Sequence, residues 1–377
     1  MSGYLFFFGR TPALSQLELS TFFPQSKLLS PSVVLVEQAL NPREVIDKLG
    51  GTVKIAELVG SVSELSASTL APFILKAPVS HPTFGISSYD EKSQVGKSLL
   101  SEIKSFLGKE GIASRFVEAK DDGVLSSVVV EKQQVVELDI VTYAKGFLVG
   151  RTTCVQAFEK WNKRDYQRPF ADPHAGMLPP KVARMVVNIA QGGREADKRI
   201  LLDPFCGMGT ILAEAMLSGW QTIGLDQSKE AVSHAQANLD WLMREYPATA
   251  SVPPKLFVSD ATHVSGVIGQ GRVDAIVTEP FMGKQTGNPV SPKNILKGLE
   301  KLYIGCLKDW HTFLKPNAKV IMAIPQYHVG GKTYTVKNVI DSCEMLGYTT
   351  LAGPIEYSRP QAVVRREFYI FQKRSQK

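Results

Sequence analysis

Cysteine is scarce in this chain, which has four cysteines among 377 residues. Cys154, Cys206, Cys306 and Cys343 lie far apart, without a C-x-x-C pair and without a histidine at metal-ligand spacing. This distribution argues against a zinc site and against a disulfide framework. We therefore expect no bound metal and a reducing, cytoplasmic environment.

Long apolar runs are also missing. The run from Tyr4 to Phe8 stops at Gly9-Arg10, which is too short for the core of a signal peptide. No stretch approaches the roughly 20 apolar residues that a membrane span requires. The sequence therefore predicts a chain without a membrane partner.

The composition is that of a folded protein with a mild excess of positive charge. Hydrophobic residues make up 44% and charged residues 21%, and 43 Lys and Arg against 36 Asp and Glu give a net charge of +7. A length of 377 residues exceeds what one core normally organises, so two or three domains are expected. The charge suits a polyanionic partner without requiring one.

The second half alternates short apolar runs with longer amphipathic stretches, which is typical of an α/β fold with a parallel sheet covered by helices. We predict strands at 200–202, 222–225, 256–258, 275–277 and 320–324, and an antiparallel pair at 348–355 and 368–371. Helices are predicted at 209–218, 228–244, 293–314 and 333–346.

The first half indicates two small α+β units, at 1–70 and 80–155. Pro72, Pro78 and Pro82, with neighbouring Ser and Thr, predict a linker between them. A connector at 156–180, without regular structure of its own, then leads to the α/β domain at 181–377.

A glycine turn follows the first strand of this domain, in the run Leu201-Leu202-Asp203-Pro204-Phe205-Cys206-Gly207-Met208-Gly209-Thr210. Two glycines let the backbone approach a ligand, and free N–H groups at a helix start attract polar groups. The G-x-G-x-x-G fingerprint of dinucleotide folds is absent, and so is the G-K-[ST] of a P-loop. Both NAD and P-loop chemistry are therefore disfavoured.

Acidic residues end three successive predicted strands: Asp203, Asp226 and Asp260. Asp226 can accept the hydroxyls of a ribose, and Asp260 can accept an adenine amine. Each acid could alone be a helix N-cap. Together with the glycine turn they predict a nucleoside-shaped site at the carboxyl edge of the sheet.

These residues resemble the class I S-adenosylmethionine-dependent methyltransferases. The sequence from Asp203 to Thr210 is similar to the motif of the RNA methyltransferases that carry THUMP-type N-terminal domains. This branch includes the tRNA guanosine N2-methyltransferases of archaea and eukaryotes that act near tRNA position ten. The resemblance implies a Rossmann-like catalytic domain with an antiparallel last strand, preceded by a ferredoxin-like unit (1–70) and a THUMP-like RNA-binding unit (80–155). It implies S-adenosylmethionine as cofactor, with contacts from Asp203, Phe205, Cys206, Gly207, Gly209, Thr210, Asp226, Gln227, Asp260, Ala261, Glu279, His174 and Met177.

The reaction loop, residues 279–283, reads Glu279-Pro280-Phe281-Met282-Gly283. Amino-group methyltransferases carry D-P-P-Y or N-P-P-Y here, because acceptors on the amine protons localise the nitrogen lone pair while an aromatic ring stacks on the base. Glu279 and Pro280 are therefore assigned to orient the amine and Phe281 to stack. The longer glutamate departs from that pattern. An alternative is that Glu279 and Phe281 only pack the loop.

Basic residues supply the candidates for RNA contact. The connector interleaves aromatic and basic groups, as a single-strand contact would, although its aromatics could equally cement an interface. The full set is Arg115, Lys163, Arg164, Arg168, Arg365 and Arg366.

The sequence therefore favours a methyltransferase that acts on tRNA or another structured RNA, at an exocyclic amine, with guanine N2 as first choice. A monomer is expected. Two alternatives stay open: a DNA methyltransferase acting on adenine or cytosine amines, and a catalytically silent RNA-binding protein that retains the fold.

Overall fold

The computed structural model describes residues 3–89, 95–120, 123–171, 177–250, 252–269, 273–283, 292–329, 331–358 and 364–375. The chain divides into two compact units, Met1–Glu159 and Lys160–Lys377. None of the helices within these ranges combines the length and apolar character needed to cross a bilayer.

The first unit is built on one mixed sheet, whose described strands run in the order β2-β3-β1-β4-β8-β7-β5-β6. Alternate residues of its first strand enter different cores: Phe6 packs with Leu19 and Ile46, whereas Leu5 and Phe7 pack on the other face. Its elements are β1 (Tyr4–Phe8), α1 (Pro12–Phe22), β2 (Lys27–Ser30), β3 (Val33–Val36), α2 (Pro42–Lys48), β4 (Thr52–Val62), α3 (Ala67–Leu75), β5 (Thr83–Ser88), α4 (Lys97–Lys109), β6 (Arg115–Val117), α5 (Ser127–Lys132), β7 (Val136–Tyr143) and β8 (Gly146–Val155).

The predicted boundary between residues 70 and 80 is corrected by this sheet. Strand β4 pairs with β8 over most of its length, so a single sheet passes through both predicted units. Pro72 lies inside α3, and Leu70 and Ile74 of that helix are buried against Phe84 and Leu138. Burial of this apolar helix face outweighs the loop tendency of the Pro- and Ser-rich segment.

A buried ionic cluster joins the two halves of this sheet. The Lys54 ammonium on β4 lies 2.5 Å from Glu137 Oε1 and 3.1 Å from Asp139 Oδ1 on β7. The Thr152 hydroxyl on β8 lies within hydrogen-bond distance of both carboxyl groups, at 2.7 Å from each. Burial, with the neighbouring Glu137 carboxylate, raises the pKa of Asp139 to about 7. The cluster lies in the sheet interior, where one ammonium group faces two carboxyl groups.

The second unit contains the predicted α/β fold, which is confirmed. Its strands run in the order β11-β10-β9-β12-β13-β16-β15, with β14 beside β13. Strands β9 to β12 pair in parallel with their neighbours, and β16 is antiparallel to both β13 and β15. The elements are α6 (Phe158–Tyr166), α7 (Pro180–Gln191), β9 (Ile200–Asp203), α8 (Thr210–Leu217), β10 (Gln221–Asp226), α9 (Lys229–Glu245), β11 (Lys255–Val258), α10 (Ser265–Ile268), β12 (Val273–Thr278), α11 (Pro292–Phe313), β13 (Leu314–Val329), β14 (Lys332–Tyr334), α12 (Lys337–Ser342), β15 (Tyr348–Tyr357) and β16 (Val364–Lys373).

The predicted strands of this unit are all present. One predicted helix is shorter than expected, and the helices α6, α7 and α10 were not predicted. The helix predicted at 333–346 is the short α12, since β14 occupies residues 332–334. The connector also contains a helix, α6, because Trp161 and Arg164 bury one of its faces. These differences leave the carboxyl ends of β9, β10, β11 and β12 at one edge of the sheet.

Candidate functional site

A cavity of about 730 Å³ lies at this carboxyl edge. We call it the acidic cavity, because four carboxylates and one arginine are its charged lining residues among those described. It is lined by Met177, Leu178, Asp203, Pro204, Phe205, Cys206, Gly207, Met208, Thr210, Ile211, Asp226, Gln227, Ala231, Asp260, Ala261, Glu279, Pro280, Phe281, Met282, Gly283, Leu302 and Arg366.

The glycine turn forms one wall of the acidic cavity. Gly207 and Gly209 have φ of 48° and 81°, a left-handed conformation that disfavours side chains with a Cβ. Gly209 is the N-cap of α8 and does not line the cavity, although it was predicted to contact the cofactor. A Cβ on Gly209 would lie 3.4 Å from that of Ala235, an ordinary contact distance, so the left-handed backbone and not the packing favours glycine here.

Asp203, at the end of β9, is almost completely buried. Its Oδ1 accepts a hydrogen bond from Thr278 Oγ1 at 2.7 Å and one from the Phe205 N–H at 3.2 Å. Burial raises the pKa of this carboxyl to about 7, against the opposing effect of the two hydrogen bonds. Asp203 is therefore poised between its neutral and ionised forms near physiological pH.

Asp226 and Asp260 line the acidic cavity and also stabilise local turns. Asp226 accepts from the N–H groups of Gly207 at 3.1 Å and Ser228 at 2.9 Å. Asp260 accepts from the N–H and hydroxyl of Thr262 at 2.7 and 2.8 Å, which lowers its pKa. Each of these acids therefore has a local structural role, as considered from the sequence, and also lines the cavity.

Two tyrosines hold the backbone of the reaction loop. Tyr303 on α11 donates its hydroxyl to the Phe281 carbonyl at 2.7 Å, and Tyr327 on β13 donates to the Met282 carbonyl. Burial raises the pKa of both hydroxyls, which keeps them protonated as donors. Phe281 is 49% exposed at the cavity wall, whereas Glu279 is half-buried. The loop backbone is fixed while an aromatic face stays available.

Glu279 is paired inside the cavity. Its Oε1 accepts a hydrogen bond from Nε of Arg366, which lies on β16. Arg366 is only 7% exposed, so the prediction that it contacts RNA phosphate is corrected: its guanidinium is turned toward the reaction loop.

Arg164 and Arg168 require a similar correction. Arg164 binds the buried Glu214 on α8 at 2.7 Å, and Arg184 on α7 binds the other oxygen of the same carboxylate at 2.7 Å. Arg168 donates to Thr210 Oγ1 at 2.7 Å, at the start of α8. Both guanidinium groups are largely buried and bind residues of α8, so the structure places these two predicted RNA contacts inside the second unit.

The other predicted RNA contacts lie outside the acidic cavity. Lys163 pairs with Glu245, Arg365 pairs with Glu356 at 3.0 Å, and Arg115 donates to Thr83 at 2.7 Å. All three are exposed or partly exposed. Met177, a predicted cofactor contact, lines the acidic cavity, and the predicted cofactor contact His174 lies outside the described residues.

Several functional candidates were missed by sequence reasoning. Thr278, a polar residue at the buried end of β12, could have been recognised from its position just before Glu279. Tyr303, Tyr327 and the pairing of Arg366 depend on distant strands and helices, so no local signal marks them. No described group of three or more His, Cys, Asp or Glu side chains is arranged to hold a metal ion.

A basic groove, with a volume of about 630 Å³, runs along α11. Lys297, Lys301 and Lys308, spaced by four and seven residues, share one helix face, which we call the lysine face. Glu300 lies in the same groove, where its carboxylate accepts from the Asn338 side chain at 2.9 Å. No described carboxylate forms an ion pair with the three lysines.

The domain around the acidic cavity matches a methyltransferase family model. Residues 166–346 match the family described as RMKL-like, methyltransferase domain. A second family model, described as DNA methylase, matches residues 90–237.

Curated relatives match this chain over about half of their length. The tRNA (guanine(10)-N2)-dimethyltransferase of Methanothermobacter thermautotrophicus is 35% identical over 182 residues, which is 48% of each chain. The Pyrococcus abyssi enzyme of the same name is 28% identical over 209 residues, 55% of this chain and 53% of that one.

Solved structures share the fold over the whole chain. TrmN from Thermus thermophilus has a TM-score of 0.58 at 15% identity and covers 99% of this chain and 100% of its own. A possible methylase from Clostridium difficile 630 has a TM-score of 0.53 at 13% identity, with 100% of this chain and 99% of its own covered. At these identities the likeness concerns the fold, which is that of class I methyltransferases.

Proposed function

We propose that this chain, whose residues 166–346 match a methyltransferase domain within a class I methyltransferase fold, methylates an exocyclic amine of tRNA, with guanine N2 as the acceptor. One observation carries the proposal: Glu279 and Pro280 line the same cavity as the glycine turn and the three strand-end acids. An amine acceptor and a nucleoside-binding wall therefore face one space.

The acidic cavity suits S-adenosylmethionine. Four carboxylates against one arginine favour a ligand that carries positive charge, as a sulfonium with an α-amino group does. Asp226 would hold the ribose hydroxyls, Asp260 and Ala261 the adenine, and Asp203 with Met177 the methionine end. When bound, the cofactor supplies an electrophilic methyl group.

The reaction loop would prepare the acceptor amine. An exocyclic amine is a weak nucleophile because its lone pair is delocalised into the ring. The Glu279 carboxylate and the Pro280 carbonyl would accept hydrogen bonds from its N–H groups and localise that lone pair, while Phe281 would stack on the base. Once methylated, the nitrogen would lose one of its protons to solvent. Glu279 lies at the end of β12, directly after Thr278, whose hydroxyl is fixed by Asp203.

The names of the curated relatives support tRNA guanine N2 as the substrate. The match covers about half of those proteins, so the substrate and the choice between mono- and dimethylation are part of the proposal. The lysine face is the described surface that best suits RNA phosphates, since its three ammonium groups are exposed and α11 also supplies Leu302 to the acidic cavity.

The match to the DNA methylase model favours a second candidate, methylation of a DNA amine. That match ends at residue 237, before the reaction loop, so it does not include the residues that would orient the amine. A catalytically silent RNA-binding protein is the third candidate.

The test is methyl transfer from labelled S-adenosylmethionine to unmodified tRNA and to duplex DNA, followed by digestion to nucleosides. We expect label in N2-methylated guanosine. Glu279→Gln should lower the single-turnover rate by about 100-fold, because one acceptor of the amine protons is lost. Phe281→Ala should also slow transfer, because the stacking ring is removed.

Glu344→Gln, an exposed glutamate outside the acidic cavity, is the matched control and should leave the rate unchanged. Label in a ring-nitrogen or C5 methyl product would contradict the amine mechanism. Label in DNA but not tRNA would favour the second candidate. Cofactor binding without transfer to either nucleic acid would favour the third.

A further inference from the structure

We infer that Arg366 is the positioning residue of the reaction loop: it holds the Glu279 carboxylate in the orientation that accepts the amine protons. The inference rests on the proposed function and adds to it a residue from the last strand of the sheet.

The contact is buried and directional. Arg366 Nε donates to Glu279 Oε1, and the side chains are 8% and 18% exposed. Both residues line the acidic cavity. The pair therefore forms part of the wall against which an acceptor base would lie.

The strand that carries Arg366 is paired on both sides, and one neighbouring strand also contacts the guanidinium. In the antiparallel register, Arg366 lies opposite Pro325 on β13 and Tyr357 on β15. Its guanidinium carbon is 5.9 Å from the centre of the Tyr357 ring, which is almost fully buried. A central strand with packing on both sides presents the donor more rigidly than a loop does.

Electrostatics and geometry both require such a partner. Glu279 shares its cavity with Asp203, Asp226 and Asp260, and like charges in a confined space disfavour ionisation. A glutamate also has one more rotatable bond than the aspartate usual at this position, so more rotamers must be excluded. The Arg366 contact offsets the repulsion and restricts the carboxylate. This explains how a glutamate can serve at a position where related enzymes carry aspartate.

A positioning role predicts a defined kinetic pattern. Arg366→Gln should lower kcat by about 100-fold, because misplacement by about 1 Å costs that much. The KM for tRNA should change by less than about threefold, because neither residue belongs to the lysine face proposed to bind tRNA. Arg366→Lys keeps the charge, so its kcat should be about tenfold higher than that of Arg366→Gln. It should stay below the wild-type kcat because the directional N–H contact is missing.

The Arg366→Gln/Glu279→Gln double variant should be no slower than Glu279→Gln alone, because both changes remove one oriented carboxylate. Arg374→Gln, which removes an exposed arginine just after β16, is the matched control and should be unchanged. Thermal unfolding of every variant, measured with the cofactor, separates loss of fold from loss of position.

A second measurement does not depend on turnover. Calorimetry gives the affinities for S-adenosylmethionine and for its demethylated product, which lacks the sulfonium charge. Arg366→Gln makes the cavity more negative, so the affinity for S-adenosylmethionine should rise several-fold relative to the affinity for the product. Glu279→Gln makes the cavity less negative and should lower this ratio.

Wild-type kcat in folded Arg366→Gln, or multiplied losses of about 10⁴-fold in the double variant, would overturn the inference. Absence of methyl transfer by the wild-type chain overturns the proposed function instead. In that case the ratio of the affinities for S-adenosylmethionine and its demethylated product still tests the Arg366–Glu279 pair. If neither single variant changes this ratio, the pairing role of Arg366 is overturned as well. If the two variants shift the ratio in opposite directions, the pair is retained as the feature that sets the charge of the cavity.

Discussion

At the scale of single residues, we expect Asp203 to couple the proposed cofactor binding to pH. Its carboxyl is buried at the end of β9 and has a pKa of about 7, so it is partly protonated in the free protein at neutral pH. A cationic ligand favours the ionised form and lowers that pKa. Affinity for S-adenosylmethionine should therefore rise as pH increases through about 7, by up to about tenfold between pH 6 and pH 8.

Calorimetry at several pH values, with wild type and Asp203→Asn compared, measures this coupling. The ligand's own titration is common to both proteins, so the difference between them isolates Asp203. The variant should bind more weakly at pH 8 and show a flatter profile. Parallel profiles for the two proteins would rule out the coupling.

The same pKa affects stability in the absence of ligand. An exposed aspartate in the unfolded chain ionises near pH 4, whereas the folded Asp203 keeps its proton up to about pH 7. The folded state therefore binds more protons between these values, and the contribution of Asp203 to the free energy of unfolding decreases as pH rises through that window.

At the scale of elements, the strands were predictable and the long-range contacts were not. Short strands such as Ile200–Asp203 are buried on both faces, and their continuous apolar residues predict that burial from the local sequence. The three strand-end acids follow from the same pattern. Arg164 and Arg366 look like surface cations in sequence, because their partners Glu214 and Glu279 lie 50 and 87 residues away.

Gly224 shows how one element limits its neighbours. It lies in β10 opposite Asp203 on β9 and Leu256 on β11. A Cβ at this position would lie 2.7 Å from Leu256 Cδ2 and 3.2 Å from the Cβ of Cys206, and would also overlap Leu212. A side chain here would therefore require the ends of the Leu212 and Leu256 side chains to move.

Gly224→Ala should lower the free energy of unfolding by about 1–3 kcal/mol, because the wall of the cavity must shift to admit the methyl group. Denaturant unfolding measures this loss. Gly298→Ala is the matched control: this helical glycine has open space at its Cβ position and should gain up to about 1 kcal/mol from helix propensity. Equal stability of both variants would contradict the packing argument.

At the scale of the whole molecule, acidic and basic residues occupy different places. The net charge of +7 includes acids gathered around the acidic cavity, where a cationic ligand fits, and arginines consumed in internal pairs with Glu214 and Glu279. Surface cations without described partners, such as those of the lysine face, are therefore the ones free to meet RNA phosphate. Total charge could be counted from sequence, whereas its division between buried and exposed groups required the fold.

The lysine face makes this division testable through salt dependence. Each lysine that neutralises a phosphate releases counterions, so log Kobs falls linearly with log salt concentration. Lys297→Ala/Lys301→Ala should weaken tRNA binding and reduce the magnitude of that slope by about 1 for each lysine. Lys255→Ala is the matched control, because this exposed lysine lies at the amino end of β11, away from the cavity edge. If the double variant kept the wild-type slope, the lysine face would have no role in binding tRNA, whereas the chemistry at Glu279 would be unaffected by that result.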